Sequence, residues 1–175
     1  MAFDGLSSLG AQGAMSAASA LSQPAENYTN DSGLELQWAM KAYHHAETYF
    51  NLISSVDPAR LRLSKHDDEI YKEFRKDFKD LKIDVINIQD LKTDDSKSKW
   101  RPFCNHFEGQ VDDFNFGTLL RIDCSKEYSE ENSLLVTRIQ FYAIEIARNR
   151  EGYNACIWNK TSLKEKKTNT KEGQS

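Results

Sequence analysis

The segment 138–154, RIQFYAIEIARNREGYN, leads from an apolar stretch into a short run of charged and amide side chains. Its apolar residues recur at helical spacing around much of the circumference, which predicts a helix over 138–151 that is buried on more than one side. The same residues also alternate, so a strand stays open as the alternative. Guanidinium groups suit bidentate recognition of carboxylate or phosphate, and we predict that the end of this helix binds a partner. The residues concerned are Arg148, Asn149, Arg150 and Glu151.

The alternative for these four residues is a solvated helix end with a local ion pair. A second candidate surface combines aromatic, basic and amide side chains in the segments WRPFC at 100–104 and FNFG at 114–117. This composition is typical of protein-binding hot spots, although a buried aromatic cluster would have it too. The candidate partner-binding residues here are Trp100, Arg101 and Asn115.

Other reactive residue types occur without the spacing that their chemistry needs. His44 and His45 are adjacent, so on a helix they point about 100° apart and cannot easily share a metal ion. Cys104 or Cys124 could be a nucleophile with His106 as base, but neither cysteine lies in a nucleophile elbow. A glycine-rich GxGxxG turn is also missing. We therefore expect no catalytic residue, metal or cofactor, and a protein that is not an enzyme.

The charge and cysteine content bound the cellular setting. The chain of 175 residues has a net charge of −4, and positions 160–175 hold five lysines and two glutamates, so the rest carries −7. An acidic body argues against a nucleic-acid partner and favours a basic protein surface. Three cysteines without a disulfide or metal spacing indicate free, buried thiols in a reducing compartment. We expect a cytoplasmic monomer with no signal peptide, no membrane-spanning segment and no membrane partner.

The first half of the chain predicts two long helices. Ser32 followed by Glu35 is a capping box that opens a helix to about Val56, where Asp57 and Pro58 end it. A second helix is predicted to start at Ser64, with acids in its first turn and apolar residues at spacings of four and three.

The second half predicts shorter elements. They are an extended connector or strand at 82–88, a loop at 90–99, a helix capped by Ser98 and closed by Gly109, a strand at 118–124, a polar loop at 126–132, the helix at 138–151 and a strand at 155–158. Together they predict a predominantly helical α+β fold, with three to four helices packed on a small sheet and a βαβ-like C-terminal unit. We expect a disordered arm at 1–24, one globular domain at 25–159 and a disordered charged tail at 160–175.

Several long motifs occur in one order along the chain. They are LISSVDP (52–58), DDEIYKEFRKDF (67–78), KWRPFC (99–104), DFNFGTLLRIDCSKEYSEEN (113–132) and RIQFYAIEIARNREGYN (138–154). Over about residues 24–156 the chain resembles the eukaryotic polysaccharide biosynthesis domain-containing protein one family. The family name points to polysaccharide biosynthesis through similarity to plant xylan-modifying methyltransferases, but this chain lacks the glycine turn of a methyl-donor site.

The resemblance implies a different activity, because the yeast relative is understood as a dedicated cotranslational chaperone of translation elongation factor one-alpha. We accordingly expect this chain to bind the nascent GTP-binding domain of that factor, and the translating ribosome stays open as a further partner. The alternatives are a polysaccharide-related, degenerate methyltransferase-like protein and a general protein-interaction adaptor.

Overall fold

The computed structural model describes residues 32–172, which form six α-helices, one 3-10 turn and one two-stranded sheet. In chain order the elements are α1 (Ser32–Ser55), a 3-10 turn (Pro58–Arg60), α2 (Asp67–Asp77), α3 (Gln89–Lys92), α4 (Asp94–His106), β1 (Gly117–Arg121), β2 (Ser133–Thr137), α5 (Arg138–Arg150) and α6 (Ala155–Glu172). The predicted class, a predominantly helical α+β fold, is confirmed. The predicted arm at 1–24 lies outside the described residues. None of the helices within 32–172 is both long and apolar enough to span a membrane.

Helix α5 is the central element of the core, and the helix predicted over 138–151 is confirmed. Thr137 caps it, since its side chain accepts from the Gln140 amide while the Gln140 side chain accepts from the Thr137 amide. From Ile139 to Asn149 every residue except Tyr142 is buried. The core around it collects side chains from all the other helices and from both strands. A helix that is apolar on most sides needs such an enclosed position.

The two strands form an antiparallel hairpin, which corrects the predicted βαβ-like unit. Gly117 pairs with Thr137 and Arg121 with Ser133. Leu134 and Val136 face the core, and this short alternation makes SLLVT a strand directly before α5. The predicted strand at 155–158 is instead the first turn of α6.

The start of α2 differs from the prediction. The helix begins at Asp67, three residues after the expected start at Ser64. The Asp67 carboxylate is buried and accepts from the Leu63 amide at 2.8 Å and from the Ser64 amide at 2.6 Å. The first amides of a helix have no partner within the helix, and here the Asp67 side chain accepts from the amides of Leu63 and Ser64. Residues 63–66 therefore form a turn before the helix.

The segment predicted as a loop at 90–99 is mostly helical. Thr93 caps α4, with its hydroxyl accepting from the Ser96 amide at 3.1 Å, so the helix starts before the predicted cap at Ser98. Trp100 then lies in an aromatic cluster, stacked on Phe78 at 4.0 Å between ring centroids, and donates to the Asp90 carbonyl at 3.1 Å. Gly109 follows α4 with φ of 77°, a conformation that suits glycine.

The last helix extends beyond the predicted domain boundary. Helix α6 continues to Glu172, so the part of the predicted tail that the structure describes is helical. Ile157 is buried near its start, and the Lys160 ammonium group donates to the Ser125 carbonyl at 2.9 Å. Residues 163–168 are exposed. Lysine and glutamate are good helix formers, so a charged sequence can continue a helix that has been anchored at its first turns.

Candidate functional site

A buried cluster of charges lies at the C-terminal end of α5. Glu145 lies between two arginines, with its Oε1 atom 2.7 Å from Nη1 of Arg148 and its Oε2 atom 3.5 Å from Nη2 of Arg121. All three residues are 0% exposed. Charges that are removed from water in this way need partners for every remaining donor.

Arg148 meets that requirement through the backbone. Its Nε atom donates to the Ile83 carbonyl at 2.7 Å, Nη1 to the Arg121 carbonyl at 2.9 Å and Nη2 to the Ile122 carbonyl at 3.1 Å. One guanidinium group therefore joins α5 to the extended segment 82–88 and to the end of β1. This connector has no regular ladder of its own beyond the bridge between Val85 and Asp123.

Three uncharged polar side chains complete the cluster around Glu145. The Tyr49 hydroxyl donates to Glu145 Oε2 at 2.5 Å, and Asn154 Nδ2 donates to the same oxygen at 2.9 Å. Asn154 also donates to Asn149 Oδ1 at 2.7 Å and accepts from Arg121 Nη2 at 2.7 Å. Asn149 donates to the Tyr49 hydroxyl at 3.3 Å. The network thus connects α1, β1, α5 and the turn before α6.

The electrostatics of the cluster keep Glu145 ionised. Burial on its own would raise the pKa of Glu145, but Arg121 and Arg148 outweigh this effect and lower it to about 2. Burial, followed by the negative charge of Glu145, raises the pKa of Tyr49 well above its usual range. Tyr49 is therefore a permanent hydrogen-bond donor at neutral pH, and the cluster is a fixed ion network.

Arg150, the last residue of α5, and Glu151, which follows it, form ion pairs that hold α5 against α2. Glu151 forms a bidentate pair with Arg75, in which Nε donates to Oε2 at 3.0 Å and Nη2 to Oε1 at 2.7 Å. Arg150 donates through Nη2 to Asp68 Oδ1 at 2.5 Å. Both contacts lie near the surface and join two helices that are far apart in sequence.

The seven residues predicted to bind a partner therefore have three different positions. Arg148 and Asn149 are enclosed in the core, which argues against direct contact with a partner of the folded protein. Trp100 is also buried, at 2% exposed, but it lines a groove together with Arg101. Arg150 and Glu151 are exposed but paired with α2. Arg101 and Asn115 are exposed, and they stay candidates.

Arg101 belongs to a groove of about 410 Å³ that sequence reasoning missed. The groove lies between α3 and α4 on one side and the strands on the other. Its lining residues include Lys92, Lys97, Arg101, Gly117, Leu135 and Thr137. Asn115 is outside this lining, two residues before Gly117 in the chain. Lys92 lies on α3, whereas Lys97 and Arg101 lie on successive turns of α4. Leu135 comes opposite them only through the hairpin, so no single stretch of the sequence indicates the groove.

The cysteines are free, as predicted, although only Cys124 is buried. Burial raises the pKa of the Cys104 thiol to about 11 and also raises that of Cys124. Both thiols are therefore protonated at neutral pH, which is unfavourable for a nucleophile. Among residues 32–172, no group of three or more histidine, cysteine or acidic side chains is arranged to hold a metal ion.

The fold and the site define a mainly helical α+β protein that is built around an internal ion network and carries an exposed basic groove. The chain belongs to the PBDC1 protein family, whose sequence profile matches residues 34–159. This finding confirms the resemblance to the polysaccharide biosynthesis domain-containing protein one family.

Similar proteins are known from animals and fungi. Protein PBDC1 of Homo sapiens is 60% identical over 144 residues, which are 82% of this chain and 62% of the human protein. The PBDC1 homolog of Saccharomyces cerevisiae is 46% identical over 137 residues, which are 76% of this chain and 94% of the yeast protein. A solution NMR structure of a Saccharomyces cerevisiae protein matches with a TM-score of 0.70 at 43% identity, covering 78% of this chain and 97% of that chain.

Proposed function

We propose that this protein is a cytosolic chaperone dedicated to translation elongation factor one-alpha, which it binds through the nascent GTP-binding domain. The observation that carries the proposal is membership of the PBDC1 family, because the family resemblance implies this role for the yeast relative. The match covers 94% of the yeast homolog, so it includes nearly all of that protein rather than one shared module.

The charge of the chain supports the same proposal. A net charge of −4 favours encounter with a basic client over a nucleic acid. The candidates for direct client contact are the exposed side chains of Arg101, which lines the groove, and Asn115. Arg101 would pair with an acidic side chain at the contact, while the acidic body attracts the basic client as a whole. One border of the groove is preformed, because Gly117 lies on β1, which the ion network around Glu145 holds through Arg121.

The proposed mechanism is a change of affinity as the client folds. The chaperone binds the incomplete GTP-binding domain as it is synthesised and shields a segment that has no partner yet. Nucleotide binding then stabilises the folded domain, which binds the chaperone less tightly and leaves. This cycle needs no catalytic residue and no cofactor in the chaperone.

Ribosome complexes that display the nascent GTP-binding domain provide the test. We expect the full chain to bind these complexes, and to bind completed, nucleotide-loaded elongation factor more weakly. The variant Arg101→Glu with Asn115→Ala should weaken binding by about tenfold or more while keeping the thermal stability of the parent. Lys72→Glu, an exposed lysine on α2, is the matched control and should bind normally.

Other outcomes would favour the alternative functions. Equal binding to many unrelated nascent and completed proteins would indicate a general adaptor. Saturable binding of S-adenosylmethionine to the purified chain, with no binding to the nascent domain, would favour a methyltransferase-like role in polysaccharide modification. Normal client binding by the Arg101→Glu, Asn115→Ala variant would show that neither Arg101 nor Asn115 belongs to the contact surface.

A further inference from the structure

The outer edges of β1 and β2 differ in how their free backbone groups are bonded. The Ile122 amide donates to the Asn132 carbonyl at 3.0 Å, which sets the pattern of the ladder. The backbone groups of even-numbered residues in β1 therefore bond to β2, and the amides and carbonyls of odd-numbered residues point away from β2. On that outer edge of β1, the Gly117 carbonyl accepts from Trp38 and the Leu119 carbonyl accepts from Tyr128. The outer edge of β1 is therefore closed by side chains of the protein itself.

The outer edge of β2 is open at Leu135. This residue pairs with Leu119, so its carbonyl and amide both face away from β1. The carbonyl accepts from the ammonium group of Lys92, an exposed side chain on α3. The Leu135 side chain is 44% exposed. A single exposed lysine thus occupies the position at which the amide of a third strand would donate.

The charged side chains that line the groove beside this edge are all positive. Lys92, Lys97 and Arg101 line the groove, and its lining contains no aspartate or glutamate, although the chain as a whole is acidic. Within residues 32–172, none of the three cations forms an ion pair. Burial, followed by repulsion from Lys97, lowers the pKa of Lys92. An anion placed between these side chains would relieve that repulsion.

We propose that this groove binds an extended, acidic peptide segment of a partner protein, which adds to the sheet as a third strand beside β2. The segment's backbone would exchange hydrogen bonds with the amide and carbonyl of Leu135. Lys92 would leave the carbonyl and pair, together with Lys97 and Arg101, with carboxylates of the segment. The inference concerns the groove itself and does not depend on the identity of the client proposed above.

A second copy of this chain is a poor occupant of the same edge. Pairing two β2 strands would bring the cations beside one edge close to those beside the other, and like charges across such a contact repel. Lys92 lies on α3, but its ammonium group at the Leu135 carbonyl protects the edge against self-association in the way that a lysine on an edge strand does. An acidic strand, in contrast, would form an ion pair with Lys92.

The test uses a fluorescein-labelled peptide in which glutamate alternates with valine, titrated into the full chain and followed by anisotropy. A peptide with lysine in place of glutamate and one with N-methylated backbone amides are the controls. We expect saturable binding of the acidic peptide and at least about tenfold weaker binding of both controls. Amide hydrogen exchange should slow at Leu135 when the acidic peptide is bound.

Two protein variants separate the charge from the backbone contribution. Lys97→Glu with Arg101→Glu should weaken the acidic peptide by at least about tenfold, while Lys72→Glu should not. Leu135→Pro removes the outward amide without removing a ladder bond to β1, and it should abolish binding in a variant whose fold is verified by circular dichroism. Four results would each overturn the proposal. They are lack of binding, equal affinity for the lysine peptide, unchanged hydrogen exchange at Leu135, and a dimer in sedimentation that forms through β2.

Discussion

Arg148 and Glu145 form an ion pair within one helix, with 2.7 Å between Nη1 and Oε1 and no exposed surface on either side chain. The pair is three residues apart, so α5 itself fixes the geometry before any tertiary contact forms. The remaining donors of Arg148 bind three backbone carbonyls from two other segments. Arg148, although it lies near the end of a helix, therefore joins three segments inside the core and does not contact solvent.

Arg148 and Arg150 should differ sharply in what their removal costs. Arg148→Ala leaves Glu145 without one of its counter-charges and the carbonyls of Ile83 and Arg121 without their donor, so we expect a loss of about 3–5 kcal/mol in the free energy of unfolding. Arg150→Ala removes a pair with the exposed Asp68, which water screens, so it should cost far less than Arg148→Ala. Urea denaturation of both variants measures the difference. Equal losses would show that the buried network is not the stabilising element.

Acid should destabilise the protein through Glu145. Because the folded-state pKa is lowered from 4.5 to about 2, the unfolded state binds the proton first as the pH falls. The contribution of this group, about 3 kcal/mol, is fully present above pH 4.5 and is lost as the pH falls to about 2. Urea denaturation at a series of pH values measures this loss.

Glu145→Gln is the control for that pH dependence. The variant keeps the shape of the side chain but leaves Arg121 and Arg148 without a buried anion, so it should be less stable than the parent at neutral pH. Its stability should fall less steeply below pH 4.5, because the titrating group is gone. The same slope in both proteins would assign the acid sensitivity to other carboxylates.

The sequence predicted the elements whose signals are local. Helix α1 has its expected bounds within a residue, and α5 is a helix because apolar residues at helical spacing outnumber the alternating ones. Strand β2 was missed because SLLVT offers only Leu134 and Val136 as inward positions, and its pairing with β1 is a tertiary property. The charged α6 was missed because its anchoring contacts lie on other segments.

The site was less predictable than the fold. Burial of Arg148 and Asn149 follows from donors and acceptors on α1, β1 and the segment 82–88, which no local pattern reports. One signal was present, because Glu145 and Arg148 are polar residues on a helix that is otherwise apolar on nearly all sides. A charge pair at such a position indicates an internal ion pair at least as well as a binding surface.

The contact between Gly117 and Trp38 should make Gly117→Ala destabilising. A Cβ atom at position 117 would lie 2.8 Å from Nε1 of Trp38 and 3.1 Å from two of its ring carbons. The indole would have to move, which weakens its bond to the Gly117 carbonyl. We expect a loss of about 1–3 kcal/mol in the free energy of unfolding. In a Trp38→Phe background the same substitution should cost less, and an equal cost would exclude the indole as the obstacle.

The clamp between Arg75 and Glu151 should show an asymmetry in a double-mutant cycle. Arg75 donates to Glu151 and also, through Nη1, to the carbonyls of Phe78 at 3.1 Å and Leu81 at 3.0 Å. Glu151→Ala removes only the partly exposed ion pair, so we expect it to cost about 0.5–1 kcal/mol. Arg75→Ala also leaves the Leu81 carbonyl without its donor and removes one of two donors to the Phe78 carbonyl, so it should cost about 1–2 kcal/mol more. In the double variant the Glu151 substitution should add almost nothing, because its partner is already absent. Full additivity of the two losses in urea denaturation would mean that the pair does not hold α5 against α2.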